Sequence, residues 1–205
     1  MKPVVRVCDR PLLLLDENID TDQIIPARFL RKPRTGGYQH FLLHDARFEL
    51  DGTPRPDSPI PHDQPARRIL LAGRNFGCGS SREGGVYAVV DYGIQVVIST
   101  AIADIFRGNA IRNGLLPIVL AQEQFTALVN HARQAPDAEL EVDLEAMSLG
   151  YPGQPRQTFD IDAGSRHRLL NGLDDIGETL ARRSEIDQFA SRRRQSLPWI
   201  FPRQT

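Results

Sequence analysis

Short apolar runs, each closed by a turn or a polar stretch, recur along most of the chain. Residues 4–7 (Val-Val-Arg-Val) and the leucines at 12–15 predict short strands, separated by a turn at Asp9-Arg10-Pro11. Residues 68–72 (Arg-Ile-Leu-Leu-Ala) predict a buried strand ending at Gly73, followed by a loop and a helix over about 81–92. A strand at 95–99, a helix at 101–111 and a strand at 117–120 continue the alternation, which predicts a parallel sheet. In the helix predicted over 122–133, Phe125, Leu128, Val129 and Ala132 fall at i, i+3, i+4 and i+7, a core-facing stripe.

Beyond that helix the period changes to two. Leu140, Val142 and Leu144 alternate with Glu139, Glu141, Asp143 and Glu145, and residues 157–161 offer a partner, so a hairpin with one wet face is expected. The chain ends in helical character from Ser165 onward, with a last helix around 184–194 and a tail to 205. Arg192 to Arg194 sit where a helix C-terminus favours cations. Residues 51–65 carry Pro54, Pro56, Pro59, Pro61 and Pro65, which forbid a regular ladder and predict an exposed loop. Residues 16–22 crowd Asp16, Glu17, Asp20 and Asp22 together; their spacing fits a cap and turn better than a calcium loop.

The chain of 205 residues is 40% hydrophobic, enough for one sizeable core, so a single domain over 1–205 is expected. With 25 basic and 26 acidic residues its net charge is −1, which supplies no field for nucleic acid or an anionic membrane. The run at 12–15 falls far short of the roughly 20 residues that cross a bilayer. Cys8 and Cys78 make no disulfide framework and no basic-then-apolar leader opens the sequence, so a cytoplasmic location is expected. The five histidines, at 40, 44, 62, 131 and 167, show no metal-ligand spacing.

The chemistry concentrates in Gly73-Arg74-Asn75-Phe76-Gly77-Cys78-Gly79-Ser80-Ser81-Arg82-Glu83. Gly77 and Gly79 permit positive φ and a close approach of backbone to a ligand, the following helix start offers N–H donors, and Arg82 can clamp a carboxylate with two bonds. A capping box between Ser80 and Glu83 accounts for those two residues without any ligand, though not for the glycines, Ser81 or Arg82. Both readings stand on sequence alone.

Taken together with Asn18-Ile19-Asp20-Thr21-Asp22-Gln23-Ile24-Ile25-Pro26, Arg34-Thr35-Gly36, Ala103-Asp104-Ile105-Phe106-Arg107-Gly108-Asn109 and Leu170-Asn171-Gly172-Leu173-Asp174-Asp175-Ile176-Gly177, the loop resembles the small subunits of 3-isopropylmalate dehydratases and, through them, the swivelling domain of aconitases. The resemblance spans nearly the whole chain. It implies an α/β fold, a swivelling β/β/α domain as in the aconitase C-terminal domain, with a C-terminal helical extension. It also implies a large-subunit partner that carries a [4Fe-4S] cluster, none being bound by this chain, and a small hydroxy-dicarboxylate substrate.

The implied reaction removes water from 2-isopropylmalate to give 2-isopropylmaleate and adds it back the other way round as 3-isopropylmalate. A base takes the proton α to a carboxylate while the partner's iron, a Lewis acid, takes the hydroxyl. By resemblance Ser80 is that base. Ser81, Arg82 and Gly79 fall among the substrate-binding residues, with Arg28 and Arg34 as further carboxylate candidates, while Thr21, Asp22, Gly77, Cys78 and Asp104 shape the site. The family usually continues Ser-Ser-Arg-Glu-His-Ala-Pro-Trp where this chain has Gly84-Gly85-Val86-Tyr87 after Glu83. That departure keeps two other readings open: a paralogous subunit for another branched malate, of the methylmalate, citraconate or dimethylmalate type, and a non-catalytic anion-binding module.

Overall fold

The computed structural model describes residues 1–62 and 67–201, so Pro65 of the proline-rich stretch and the tail at 202–205 lie outside the described residues. A parallel sheet occupies the centre, in the order β2 (Leu12–Leu14), β3 (Ile69–Ala72), β4 (Val96–Ser99), β5 (Leu116–Val119). Every residue of β3 and β4 is buried, as expected of strands covered on both faces. Alternate side chains part company there. Ile69 and Leu71 join one apolar cluster with Val96, Ile98, Leu116 and Ile118, whereas Leu70, Ala72 and Val97 join another.

The first cluster is closed by an antiparallel sheet in the order β1 (Arg6–Asp9), β6 (Leu140–Asp143), β7 (Ser148–Gly150), β8 (Gln157–Thr158), and by Phe125, Leu128 and Val129 of helix α5 (Gln122–Gln134). The second is closed by helices α3 (Gly84–Tyr92) and α4 (Asp104–Arg112) through Val86, Val89, Phe106 and Ala110. Sheet on sheet on helices is the expected β/β/α layering. Short helices α1 (Thr21–Ile24) and α2 (His44–Arg47), with three 3₁₀ turns between them, extend the helical side and bury Ile24, Ile25, Tyr38 and Leu43.

Several elements differ from their sequence expectation. The strands expected at 4–7 and 12–15 form at 6–9 and 12–14 and lie in different sheets, so Asp9-Arg10-Pro11 carries the chain between layers. The segment at 157–161 does not pair with β6: β7 intervenes, its three residues too short to show a period, and β8 pairs with β7 alone. The helix expected from 101 starts at Asp104, because Ala101 O accepts the amide hydrogens of Asn75 and Phe76 and residue 102 bridges residue 76. The described part of the proline-rich stretch, up to residue 62, is a loop, yet not wholly exposed; Ile60, 1% accessible, pins it to the helix-side core. After α6 (Ala163–Asn171) come α7 (Asp175–Ala181) and α8 (Arg183–Ser196), neither of which buries any residue.

Candidate active site

The site is built at the carboxyl ends of β2 and β3, where two extended segments flank residues 73–79. On one side Asn18 N donates to Arg74 O, Gly77 N to Ile19 O and Thr21 N to Cys78 O, each at 2.8 Å. On the other, Ala103 N donates to Phe76 O at 3.0 Å. Glycine is obligatory at two of these positions. A Cβ on Gly73 would lie 2.2 Å from Asp16 O, and one on Gly77, at φ 75°, would lie 2.3 Å from the Phe106 ring. The loop is therefore stitched down as far as Cys78, whose thiol donates weakly to Asn18 O at 3.5 Å.

Gly79, at φ 101°, turns the backbone outward, and the next residues form a tight polar knot. Ser80 N donates to Thr21 Oγ1 at 2.9 Å. The Ser80 hydroxyl oxygen accepts from Arg82 Nε at 2.9 Å and from Arg82 N at 3.2 Å. Ser80 is half-buried while Ser81 and Arg82 are exposed, so the hydroxyl sits at a surface rather than sealed in the core. Arg82 Nη2 lies 3.6 Å from Asp22 Oδ1, a pair more than half exposed on both sides and thus weakly held.

This arrangement overturns the capping-box reading. Ser80 does not reach the helix end; Glu83 itself is the N-cap and makes no side-chain cap bond. The Glu83 carboxylate instead accepts from the Tyr87 hydroxyl, a bond that, with burial, pushes that phenol above its ordinary range. With residues 80–82 drawn into the knot, α3 begins at Gly84 rather than near 81. Both glycines of the departure are buried in its first turn. A Cβ on Gly84 would fall 2.3 Å from Leu30 Cδ2, whereas one on Gly85 would make ordinary contacts of 3.5–3.7 Å with Thr21 and Ile24. Leu30 thus fills the space a larger residue at 84 would take.

The structure brings Thr21, Asp22, Gly77, Cys78, Gly79, Ser80 and Arg82 together. It ties Arg28 and Arg34 elsewhere. Arg28 pairs with Asp45 and lies over the Phe29 ring, and Arg34 makes a forked pair with Asp91, at 2.6–3.2 Å, over the Tyr87 ring. Each carboxylate hydrogen bond raises its guanidinium's already high affinity for the proton. Asp104 opens α4 at the surface, one residue past the Ala103–Phe76 bond. Asn109 closes the 103–109 motif, yet sequence alone assigns it no role: 6% accessible, it donates from Nδ2 to Ser81 O at 3.3 Å, and only the fold reveals that partner.

No group of three or more His, Cys, Asp or Glu among the described residues is placed to hold a metal. Cys8 faces Glu139 in the antiparallel sheet and Cys78 faces a carbonyl in the loop, so this chain lacks the thiolate set an iron–sulfur cluster needs.

Layering and loop together define an aconitase-type swivelling domain. The family model for the aconitase C-terminal domain matches residues 14–123, and that for the C-terminal domain of the 3-isopropylmalate dehydratase small subunit matches residues 175–203. The 3-isopropylmalate dehydratase small subunit of Sinorhizobium medicae is 46% identical over 185 residues, covering 89% of this chain and 91% of its own. That of Anaeromyxobacter dehalogenans is 45% identical over 196 residues, covering 95% and 100%. A solved structure described as 3-isopropylmalate dehydratase from Methanocaldococcus jannaschii aligns at TM-score 0.65 and 26% identity over 90% of this chain and 99% of that one. The chain belongs to the family of 3-isopropylmalate dehydratase small subunits.

Proposed function

We propose that this chain acts as the small subunit of a heteromeric hydro-lyase that interconverts 2-isopropylmalate and 3-isopropylmalate through 2-isopropylmaleate, with Ser80 as its proton-transfer group. The observation that carries the reading is the half-exposed Ser80 hydroxyl receiving two N–H groups from Arg82. A free serine hydroxyl is far too weak an acid to serve as an alkoxide base; two donors, one cationic, stabilise the oxyanion at the atom where it forms. The proton α to the substrate carboxylate passes to Ser80 Oγ as the C–O bond breaks, the hydroxide being taken by the Lewis-acid iron that the large subunit would supply, and the proton returns from Ser80 when water is added in the other sense.

Arg82 commits Nε to Ser80 and keeps its terminal nitrogens for a substrate carboxylate, which would displace the weak Asp22 contact. Thr21, Gly77 and Gly79 hold the loop, and Ser81 presents an exposed hydroxyl beside it. Arg28 and Arg34 enter only by exchanging their surface carboxylates for the substrate's. The family relationship argues for an iron–sulfur cluster on the large subunit, and a cytoplasmic setting suits such a biosynthetic enzyme.

The test is anaerobic reconstitution with the large subunit. Wild-type chain is expected to give turnover of 2-isopropylmalate, neither subunit alone to give any, and Ser80→Ala to assemble normally yet lose at least ~10²-fold in kcat. Turnover by the isolated chain, or by the Ser80→Ala assembly at wild-type rate, removes the assignment. Preference for a methylated malate over 2-isopropylmalate would shift it to a paralogous subunit.

A further inference from the structure

α7 and α8 form an arm with no core of its own. Ile176 and Leu180 on α7, Ile186 and Phe189 on α8, and Trp199 and Ile200 in the turn beyond are 43–74% accessible. Ile186 and Phe189 stand three apart and Ile176 and Leu180 four apart, so each helix shows its apolar side chains on one face. A 14-residue helix held by its own hydrogen bonds and an exposed Arg183–Asp187 pair is marginal in water. The uncovered apolar area, on the order of 500 Å², approaches the ~800 Å² per partner of a stable interface.

We infer that this arm is a docking surface for the large subunit, received in an apolar groove with an acidic rim. The inference rests on the proposed function, which supplies the partner. Charge sets the rim: Arg192, Arg193 and Arg194 are consecutive, residues 189–201 contain no carboxylate, and none of the three makes an ion pair among the described residues. A second copy of this chain is a poorer occupant, because Asp175 and Glu178 of α7 are already paired with Arg168 and Asp187 of α8 with Arg183, which leaves Glu185, among the described residues, as the one carboxylate of the two helices free to meet the arginines. The match to the aconitase C-terminal domain ends at residue 123, and the match to the small-subunit family's own C-terminal domain covers 175–203, which is this arm. The arm is thus the part of the chain matched by the small-subunit family's own C-terminal model.

The experiment is calorimetric titration of full-length chain into the large subunit, with Phe189→Asp, Trp199→Ala and a triple Arg192→Glu, Arg193→Glu, Arg194→Glu variant alongside wild type. The first two are expected to weaken binding at least ~10-fold. The triple variant should do likewise and flatten the salt dependence of Kd. None should change the melting temperature of the isolated chain, since none of these side chains is buried. Wild-type binding with variants within twofold overturns the inference and leaves the function standing. Sedimentation showing an isolated-chain dimer that the variants dissociate, or adsorption to anionic phosphatidylserine vesicles that they abolish, assigns the arm to another occupant. Failure of wild type to bind the large subunit overturns both.

Discussion

Thr21 Oγ1 accepts the amide hydrogen of Ser80 at 2.9 Å, across 59 residues of sequence. Thr21 is 4% accessible, and its own N–H is fixed on Cys78 O at 2.8 Å, so the acceptor is rigidly placed. Thr21→Val keeps the shape and deletes only the acceptor, leaving the Ser80 N–H unpaired at a cost of about 1–3 kcal/mol. A serine released from that bond drifts, and small misplacement of a reacting group costs up to ~10²-fold. The expected outcome in the reconstituted enzyme is a roughly 10- to 100-fold lower kcat with KM little changed, and recovery in Thr21→Ser. Wild-type kcat in the valine variant would show that Gly77 and Cys78 alone position the loop.

Arg82→Lys tests a two-handed role. Lysine retains the charge but has no Nε to place on Ser80 Oγ and no planar fork for a carboxylate. Lower kcat and higher KM should therefore appear together, each by about tenfold. A change in KM alone, measured by steady-state kinetics of the assembled pair, would confine Arg82 to substrate binding.

The layers are readable from sequence because β3, β4 and β5 are apolar runs bounded by glycine and polar turns, and α5 carries a clean 3.6-residue stripe. β7 is not, since Ser148–Gly150 holds one large apolar side chain and borrows its strand character from β6. In the site, local spacing groups Gly77, Gly79, Ser80 and Arg82, which are neighbours in the chain. It leaves a capping box open for Ser80 and Glu83 because that motif and the observed Ser80–Arg82 turn share Ser80, and only the partners the fold supplies, Thr21 for the Ser80 amide and Tyr87 for Glu83, decide between them. Asn109, Phe106 and Leu30 act through contacts distant in sequence, and local spacing, even the 103–109 motif that holds the first two, does not name their partners.

Two glycines should respond oppositely to alanine. At Gly77 the new methyl meets the Phe106 ring at 2.3 Å on a backbone at φ 75°, so overpacking and left-handed strain add to about 3 kcal/mol of destabilisation. At Gly85 the added methyl meets Thr21 and Ile24 at 3.5–3.7 Å, in helical backbone, and stability should rise by about 0.5 kcal/mol through the unfolded chain. Urea denaturation of the isolated chain reads both. Destabilisation at Gly85 would mean that the first turn of α3 cannot accept a side chain even where there is room.

Acid stability should depend on Asp143. Its carboxylate accepts from Ala146 N at 2.8 Å, closing the β6–β7 turn, and from Arg6 Nη2 at 2.8 Å. The amide bond first, then Arg6, hold its titration below the ordinary carboxylate range. Because the folded value lies below the unfolded one, ~3.9, the stabilisation is complete well above that value and is lost as pH falls through the folded one. Arg6 is 62% accessible, so most of the effect belongs to the buried amide bond rather than the ion pair. Asp143→Asn should therefore cost about 1–2 kcal/mol at pH 7, with the gap to wild type closing below about pH 4. Urea midpoints measured from about pH 3 to pH 7 would show this as converging curves; parallel curves would mean that Asp143 acts through shape rather than charge.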